Sequence, residues 1–395
     1  MDILFLSHCV PNPPDKGEKI RAWHELNALA AKHRVHLVCF AKNAEEVAKA
    51  GEMRDRCASV FAQRPEPYKA LAGAALRFAA GGCLNTSFYR SPAVLRHIDT
   101  LRSIPLSATL AYSSAMVQFA PPEVPLWIDM VDVDSEKWLE YGQTRFPGAL
   151  YALEGRRFRA LEAAYAEKAQ CTYLTTPREQ RLLQGIAPKA RIEAWINGVD
   201  LSFFNPELPL SNPDLEARNY IVFVGQMDYF PNVDACRQFV ETVFVSLRSQ
   251  WPALEFLIVG RNPSRAVQHL ATRAGVTVTG GVPDVRPYLA HARAMVAPLR
   301  IARGVQNKVL EALAMGKRIL ASRAVASTFG TSWPEGVAVC ESSSDYAREI
   351  AAIAEKPAQW EVKIRQHASA LFSWERNLLP VVRELEKAEE VVASR

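Results

Sequence analysis

Short runs of β-branched and aliphatic residues alternate along this 395-residue chain with longer stretches whose apolar positions recur at helical spacing. Ile3 to Leu6 reads as a strand, Glu18 to His33 as a helix with Ile20, Trp23, Leu26 and Ala30 on one face, and Val35 to Phe40 as the next strand. That is the rhythm of a parallel sheet. It returns in the second half, where Ile221 to Val224, Phe256 to Val259, Val276 to Thr279, Met295 to Ala297, Ile319 to Ala321 and Val337 to Val339 read as strands wrapped by helices. Between the halves, Asn205 to Asn219 is polar and holds Pro206, Pro209 and Pro213, the composition of an exposed linker. The pattern predicts an α/β protein: a Rossmann-like domain over 1–205, a linker over 206–219, a second Rossmann-like domain over 220–372, and a C-terminal helical segment over 373–395 that can pack back on the first domain. Two doubly wound domains of this kind are expected to face a central cleft at the carboxyl ends of their strands, where ligands bind.

Composition narrows the classes. A hydrophobic share of 49% supports more than one core and excludes a small stapled module. Lys plus Arg is 47 against 42 Asp plus Glu, a surplus too diluted by acids for a dedicated nucleic-acid binder. Seven cysteines, odd in number and without CxxC spacing, argue against a disulfide framework and for a reducing, cytoplasmic setting. Met1 to Ser7 has no basic leader and reads as a first strand rather than a signal peptide. The uncharged run Ser103 to Pro122 has the length of a membrane span, but three prolines and four serines exclude that reading. Charge is uneven locally: Arg54 to Arg102 holds eight basic residues and three acids around the apolar stretch Tyr68 to Ala80. This suits either a solvated basic helix or contact with an anionic inner-membrane surface.

Four segments carry candidate chemistry. Gly17 precedes the first long helix, where backbone amides can approach an anion; Lys19 and Arg21 follow on different sides of that helix, so at most one faces a cleft. Asp132-x-Asp134 has the spacing of a divalent-cation loop, although a hydrogen-bonded turn capping the next helix is the commoner outcome, and no metal is expected. Asn197-Gly198 is a turn former closing the first domain. Ala302 to Lys317 is the richest: helical spacing aligns Gly304, Asn307, Lys308 and Glu311, buries Val309, Leu310 and Leu313, and ends at Gly316. Such a stripe is either a solvated face or, with Arg303 and Lys308 near a helix amino end, a diphosphate seat with Glu311 placed for ribose hydroxyls.

The set Asn197 to Asp200, Phe223-Val224-Gly225, Ile258-Val259-Gly260, Gly280-x-Val282-x-Asp284 and Lys308 to Gly316 resembles the retaining glycosyltransferases of family 4, which have the GT-B fold. More narrowly, Pro14 to Arg21, Asp129 to Trp138 and Arg303 to Glu311 resemble the sugar transferases of bacterial exopolysaccharide and PEP-CTERM/exosortase gene clusters. The resemblance implies a hexosyl transferase using a nucleotide-diphosphate sugar as co-substrate, without metal or other cofactor. Its acceptor would be a glycan or a polyprenyl-diphosphate-linked saccharide. It implies donor contacts from Gly17, Gly225, Arg261, Val282, Gly304, Asn307, Lys308 and Glu311, acceptor-side contacts from Lys19, Arg21 and Asp132, and catalytic roles for Asp132, Arg303 and Lys308. Two positions depart from the family: Arg303 stands where the first carboxylate of the E-x7-E motif belongs, and Gln226 to Asn232 replaces the basic residues that clamp the diphosphate. An arginine cannot accept hydrogen bonds from sugar hydroxyls. Two other outcomes stay open on sequence grounds: a GT-B sugar-nucleotide epimerase, and a degenerate nucleotide-sugar-binding scaffold. A nicotinamide dehydrogenase lacks support, since neither first strand leads into GxGxxG, and no histidine is assigned catalysis.

Overall fold

The computed structural model describes residues 1–302, 304–353 and 361–393. The chain forms two compact units, Met1–Ile196 with the segment from Glu375 onward, and Asn197–Trp374. In the first unit, strands β1 (Asp2–Ser7), β2 (Arg34–Phe40), β3 (Ser59–Gln63), β4 (Leu106–Tyr112), β5 (Leu126–Val131), β6 (Cys171–Leu174) and β7 (Ile192–Ala194) form one parallel sheet in the order β3-β2-β1-β4-β5-β6-β7. In the second, β8 (Tyr220–Val224), β9 (Glu255–Val259), β10 (Val276–Gly280), β11 (Met295–Ala297), β12 (Ile319–Ala321) and β13 (Val337–Val339) follow the order β10-β9-β8-β11-β12-β13. Both sheets therefore reverse their winding beside the first strand, between β1 and β4 and between β8 and β11. That reversal parts the flanking loops and opens a crevice at the carboxyl edge.

Continuous apolar runs make the central strands because helices cover both faces of a parallel sheet. Every residue of β8 is buried, and its register sets Tyr220 to Val224 opposite Glu255 to Val259. Each such side chain contributes about 1.5–3 kcal/mol on burial. The run 103–122 is uncharged for the same reason: it holds β4, paired with β1 and β5, and a 3₁₀ turn over Ser114–Phe119. Among the described residues no helix is long and apolar enough to cross a membrane.

The first long helix spans Gly17–Ala30 and buries Ala22, Leu26 and Leu29. It stops short of His33 because Lys32, His33 and Arg34 already lead into β2. The proline-bearing stretch 206–219 lies within the second unit, where Pro213–Glu216 forms one helical turn with Leu215 buried and the Leu210 carbonyl lies 2.9 Å from His291 Nε2. The helix Trp374–Ala393 lies in the first unit apart from its initial residue. There Glu384 pairs with Arg191, Glu386 lies 3.3 Å from His33, and Asn377 donates to the Ile196 carbonyl. All seven cysteines are free and buried.

Candidate functional site

In the second unit the site grows from the end of β8. Phe223 and Val224 are locked in the sheet, and the chain leaves it at Gly225, whose N–H donates to the Val259 carbonyl. A Cβ on Gly225 would lie 2.8 Å from Asn232 Nδ2 and 2.9 Å from Lys308 Nζ, so the missing side chain is what lets these groups approach the strand end. A Cβ on Gly260 would stand 1.6 Å from the Gly225 carbonyl oxygen; the ends of β8 and β9 touch through backbone. Across the reversal point, β11 leads through a loop to the helix Asn307–Ala314, whose N-cap residue Gln306 supplies no side-chain cap. The helix ends as its glycine requires: Gly316 has φ +65, its N–H donates to Leu313 and that of Lys317 to Ala312.

This helix carries Lys308 and Glu311 to the carboxyl edge. Lys308 Nζ donates to Asn232 Oδ1 at 2.6 Å and sits 4.3 Å from the centre of the Phe223 ring. Asn232 is fixed by its own bond, Nδ2 to the Gln226 carbonyl at 2.8 Å. Burial pulls the Lys308 ammonium down to about 8 and pushes the Glu311 carboxyl up to about 7, the attraction between the two offsetting only part of each shift. Neither is walled in: both are half-buried, and the Glu311 carboxyl accepts no hydrogen bond among the described residues. The result is a cation with spare donors beside an acceptor with spare lone pairs, poised near neutrality. Asn307 joins from the first turn, accepting from Asn197 Nδ2 at 2.9 Å. Gly304 lies in the preceding loop rather than in the helix, its carbonyl taking a bond from Gln306 Nε2. Arg303 lies outside the described residues.

Arg261 and Val282 belong to the neighbouring strand ends, directly after β9 and β10. Arg261 folds over Gly281, where a Cβ would meet its Cγ at 3.1 Å. Asp284 is committed to Arg286, which binds it through Nε and Nη2 and stacks on Phe203 at 3.9 Å.

The first unit distributes its predicted residues differently. Gly17 opens its helix, whose N-cap residue Lys16 offers no side-chain cap. Lys19 is only 3% exposed and pairs with Glu46 at 2.8 Å. Arg21 is 1% exposed and bonds both oxygens of Asp129, the Trp195 carbonyl at 3.0 Å and, as an ion pair, Glu25 at 3.3 Å. Lys19 is thus engaged by the half-buried Glu46, and Arg21 by the buried Asp129 and Glu25. Burial and the adjacent Asp129 hold the Glu25 carboxyl well above its usual range. Asp132 is half-buried and accepts from Thr175 Oγ1 at 2.9 Å, just beyond Val131, which stands at φ +68, an outlier for a β-branched residue.

The reversal point of the first sheet is occupied instead by His8. Its ring stacks on Tyr112 at 5.3 Å, and Nε2 lies 3.7 Å from Glu18, which His8 and Lys42 hold down at about 2. His8 and Asn232 are groups that the sequence left without a role, and Phe223 stood out in it only through the Phe223-Val224-Gly225 motif. The signal for His8 and Asn232 was position: His8 follows the first strand, and Asn232 lies in the first turn of the helix Phe230–Gln238, directly after Pro231.

Residues 218–356 match the family model described as Glycosyl transferases group 1. A comparison with curated protein sequences found no match. Solved structures give whole-chain likenesses. Sucrose-phosphate synthase from Thermosynechococcus elongatus aligns at TM-score 0.67 and 16% identity over 100% of both chains. HepE of Anabaena in complex with UDP and glucose aligns at 0.65 and 13%, over 98% of this chain and 100% of that one. An α,α-trehalose-phosphate synthase from Burkholderia xenovorans in complex with glucose-6-phosphate aligns at 0.63 and 11%, over 98% and 100%. The chain thus has the GT-B fold, and the part of it that resembles a group 1 glycosyl transferase, residues 218–356, lies in the second unit.

Proposed function

We propose that the protein is a metal-independent, retaining glycosyltransferase of family 4 that moves a hexosyl group from a nucleoside-diphosphate sugar to a glycan or lipid-linked saccharide, in the assembly of an exopolysaccharide. The observation that carries this is the Lys308–Glu311 pair at the reversal point of the second sheet, inside the segment matching the group 1 domain. The UDP bound by the Anabaena relative favours UDP as the first donor to try.

In this reading Lys308 and the uncapped amide end of its helix face the diphosphate, Asn232 holds the ammonium in place, and the Glu311 carboxylate accepts from the ribose hydroxyls. The anomeric carbon–oxygen bond to the diphosphate breaks while the acceptor oxygen bonds the same face. The acceptor's proton passes to the departing phosphate oxygen, and the charge that develops there is met by groups already in position. Arg303 would add a cation, Gly225, Arg261, Val282, Gly304 and Asn307 would shape the donor seat, and Asp132 would meet the acceptor.

The test is a thermal-shift screen against UDP, GDP, ADP, TDP and their sugars, with and without magnesium, on wild type and Glu311→Ala. Stabilisation by one nucleotide family, indifferent to magnesium and lost in the variant, is expected. Stabilisation that needs magnesium, or none at all, would overturn the donor site. Isomerised sugar nucleotide formed without acceptor would move the assignment to an epimerase.

A further inference from the structure

We infer that the helix Pro67–Ala79 is an interfacial membrane helix by which the first unit binds anionic lipid bilayers. Six of its exposed residues, Tyr68, Leu71, Ala72, Ala75, Leu76 and Ala79, fall within about 140° of the helix circumference, and the exposed Lys69 and Arg77 lie outside that arc. Tyr68 is 89% exposed, Leu71 62% and Leu76 74%, whereas the helix buries only Ala74. Arg157 anchors the carboxyl end of this 13-residue helix through the Phe78 carbonyl at 2.6 Å, while the fold leaves the outward apolar arc uncovered.

Charge identifies the partner. The helix contains Lys69 and Arg77 and no acid. The polar side, opposite the apolar arc, borders a cavity of about 300 Å³ that Arg64, Lys69, Arg77 and Arg90 line. Arg77 and Arg90 continue into an adjoining groove of about 830 Å³. Lys69 pairs with Glu66, but Arg64, Arg77 and Arg90 pair with no carboxylate among the described residues, and Arg77 reaches only the Gly73 carbonyl. An apolar arc backed by uncompensated guanidinium groups matches a surface that is apolar within and phosphate-lined at its rim. In that orientation the arc enters the acyl boundary and the arginines stand at the level of the lipid phosphates, whose bidentate geometry suits them. This surface is independent of the donor site, so its test does not depend on the transferase reading.

The experiment is flotation of the full chain with vesicles of phosphatidylcholine alone and of phosphatidylcholine with a one-third share of phosphatidylglycerol. Wild type is expected to float with the anionic vesicles only, and to be released as salt rises. The variant Tyr68→Ser/Leu71→Ser/Leu76→Ser and the variant Arg64→Gln/Arg77→Gln/Arg90→Gln should each lose about tenfold or more in partitioning, with unchanged melting temperature and nucleotide binding. Failure of wild type to float, or flotation that neither variant reduces, would overturn the inference. So would release by inorganic phosphate beyond that by chloride at equal ionic strength, which would assign the arginines to a soluble anion. Concentration-dependent self-association abolished by the serine variant would assign the arc to a second copy instead.

Discussion

Binding of a nucleoside diphosphate at Lys308 and Glu311 should move protons in opposite directions at two pH values. In the free protein burial sets the Lys308 ammonium at about 8 and the Glu311 carboxyl at about 7. At pH 8.5 only about a quarter of Lys308 is protonated and Glu311 is almost wholly ionised. A diphosphate in contact raises an ammonium by roughly 1–3 units, so binding UDP should draw in about 0.7 proton per molecule. At pH 7 the balance differs. Lys308 is already about nine-tenths protonated, while Glu311 is about half protonated and must ionise to accept from the ribose, so binding should expel about 0.4 proton net. Titration calorimetry in buffers of different ionisation enthalpy reads the sign directly: uptake at pH 8.5, release at pH 7. Lys308→Met should abolish the uptake and Glu311→Gln the release. Equal slopes at both pH values, or slopes that survive the two substitutions, would refute the assignment of these residues to the nucleotide.

Other expectations concern stability. Gly260→Ala should destabilise the second unit by about 3 kcal/mol or more in urea titration, since its Cβ would stand 1.6 Å from a backbone oxygen that cannot retreat without breaking the β8–β9 contact. Arg21→Met should cost about 3–5 kcal/mol, because it strands Asp129, fully buried, beside Glu25; adding Asp129→Asn should restore part of the loss. Glu162, fully buried beside Ser135, has its carboxyl raised by burial to about 8. A folded value above the unfolded one means that its favourable contribution is complete below about pH 4.5 and is lost as pH rises through 8. Glu162→Gln should therefore flatten the stability profile between those limits and raise the melting temperature at pH 8.5, most visibly there and least at pH 4.

How far the chain could be read in advance depended on whether neighbours in space were also neighbours in sequence. The six strands of the second sheet are short apolar runs covered on both faces, and each appears within a residue or two of its predicted place. The helix with Lys308 and Glu311 was legible because helical spacing and the terminal Gly316 are local signals. β4 was hidden in a run whose lack of charge pointed first to a membrane, and only its pairing with β1 and β5 explains that composition. The burial of Arg21 by Asp129, 108 positions away, and the bond between Lys308 and Asn232, 76 positions away, are properties of the folded sheet edge that no spacing rule carries. Arg21, predicted on the acceptor side, is drawn inward because a buried carboxylate there must be paired.

The buried cysteines give the chain an internal reporter for each unit. Cys9, Cys39, Cys57, Cys83 and Cys171 lie in the first and Cys236 and Cys340 in the second, every thiol raised by burial and so unreactive while the fold is closed. Thiol-exchange rates followed site by site by mass spectrometry then time the opening of each unit separately. A nucleotide held by the Lys308 helix should slow the labelling of Cys236, whose thiol neighbours that lysine, and of Cys340, while leaving the five sites of the other unit to open at their own pace.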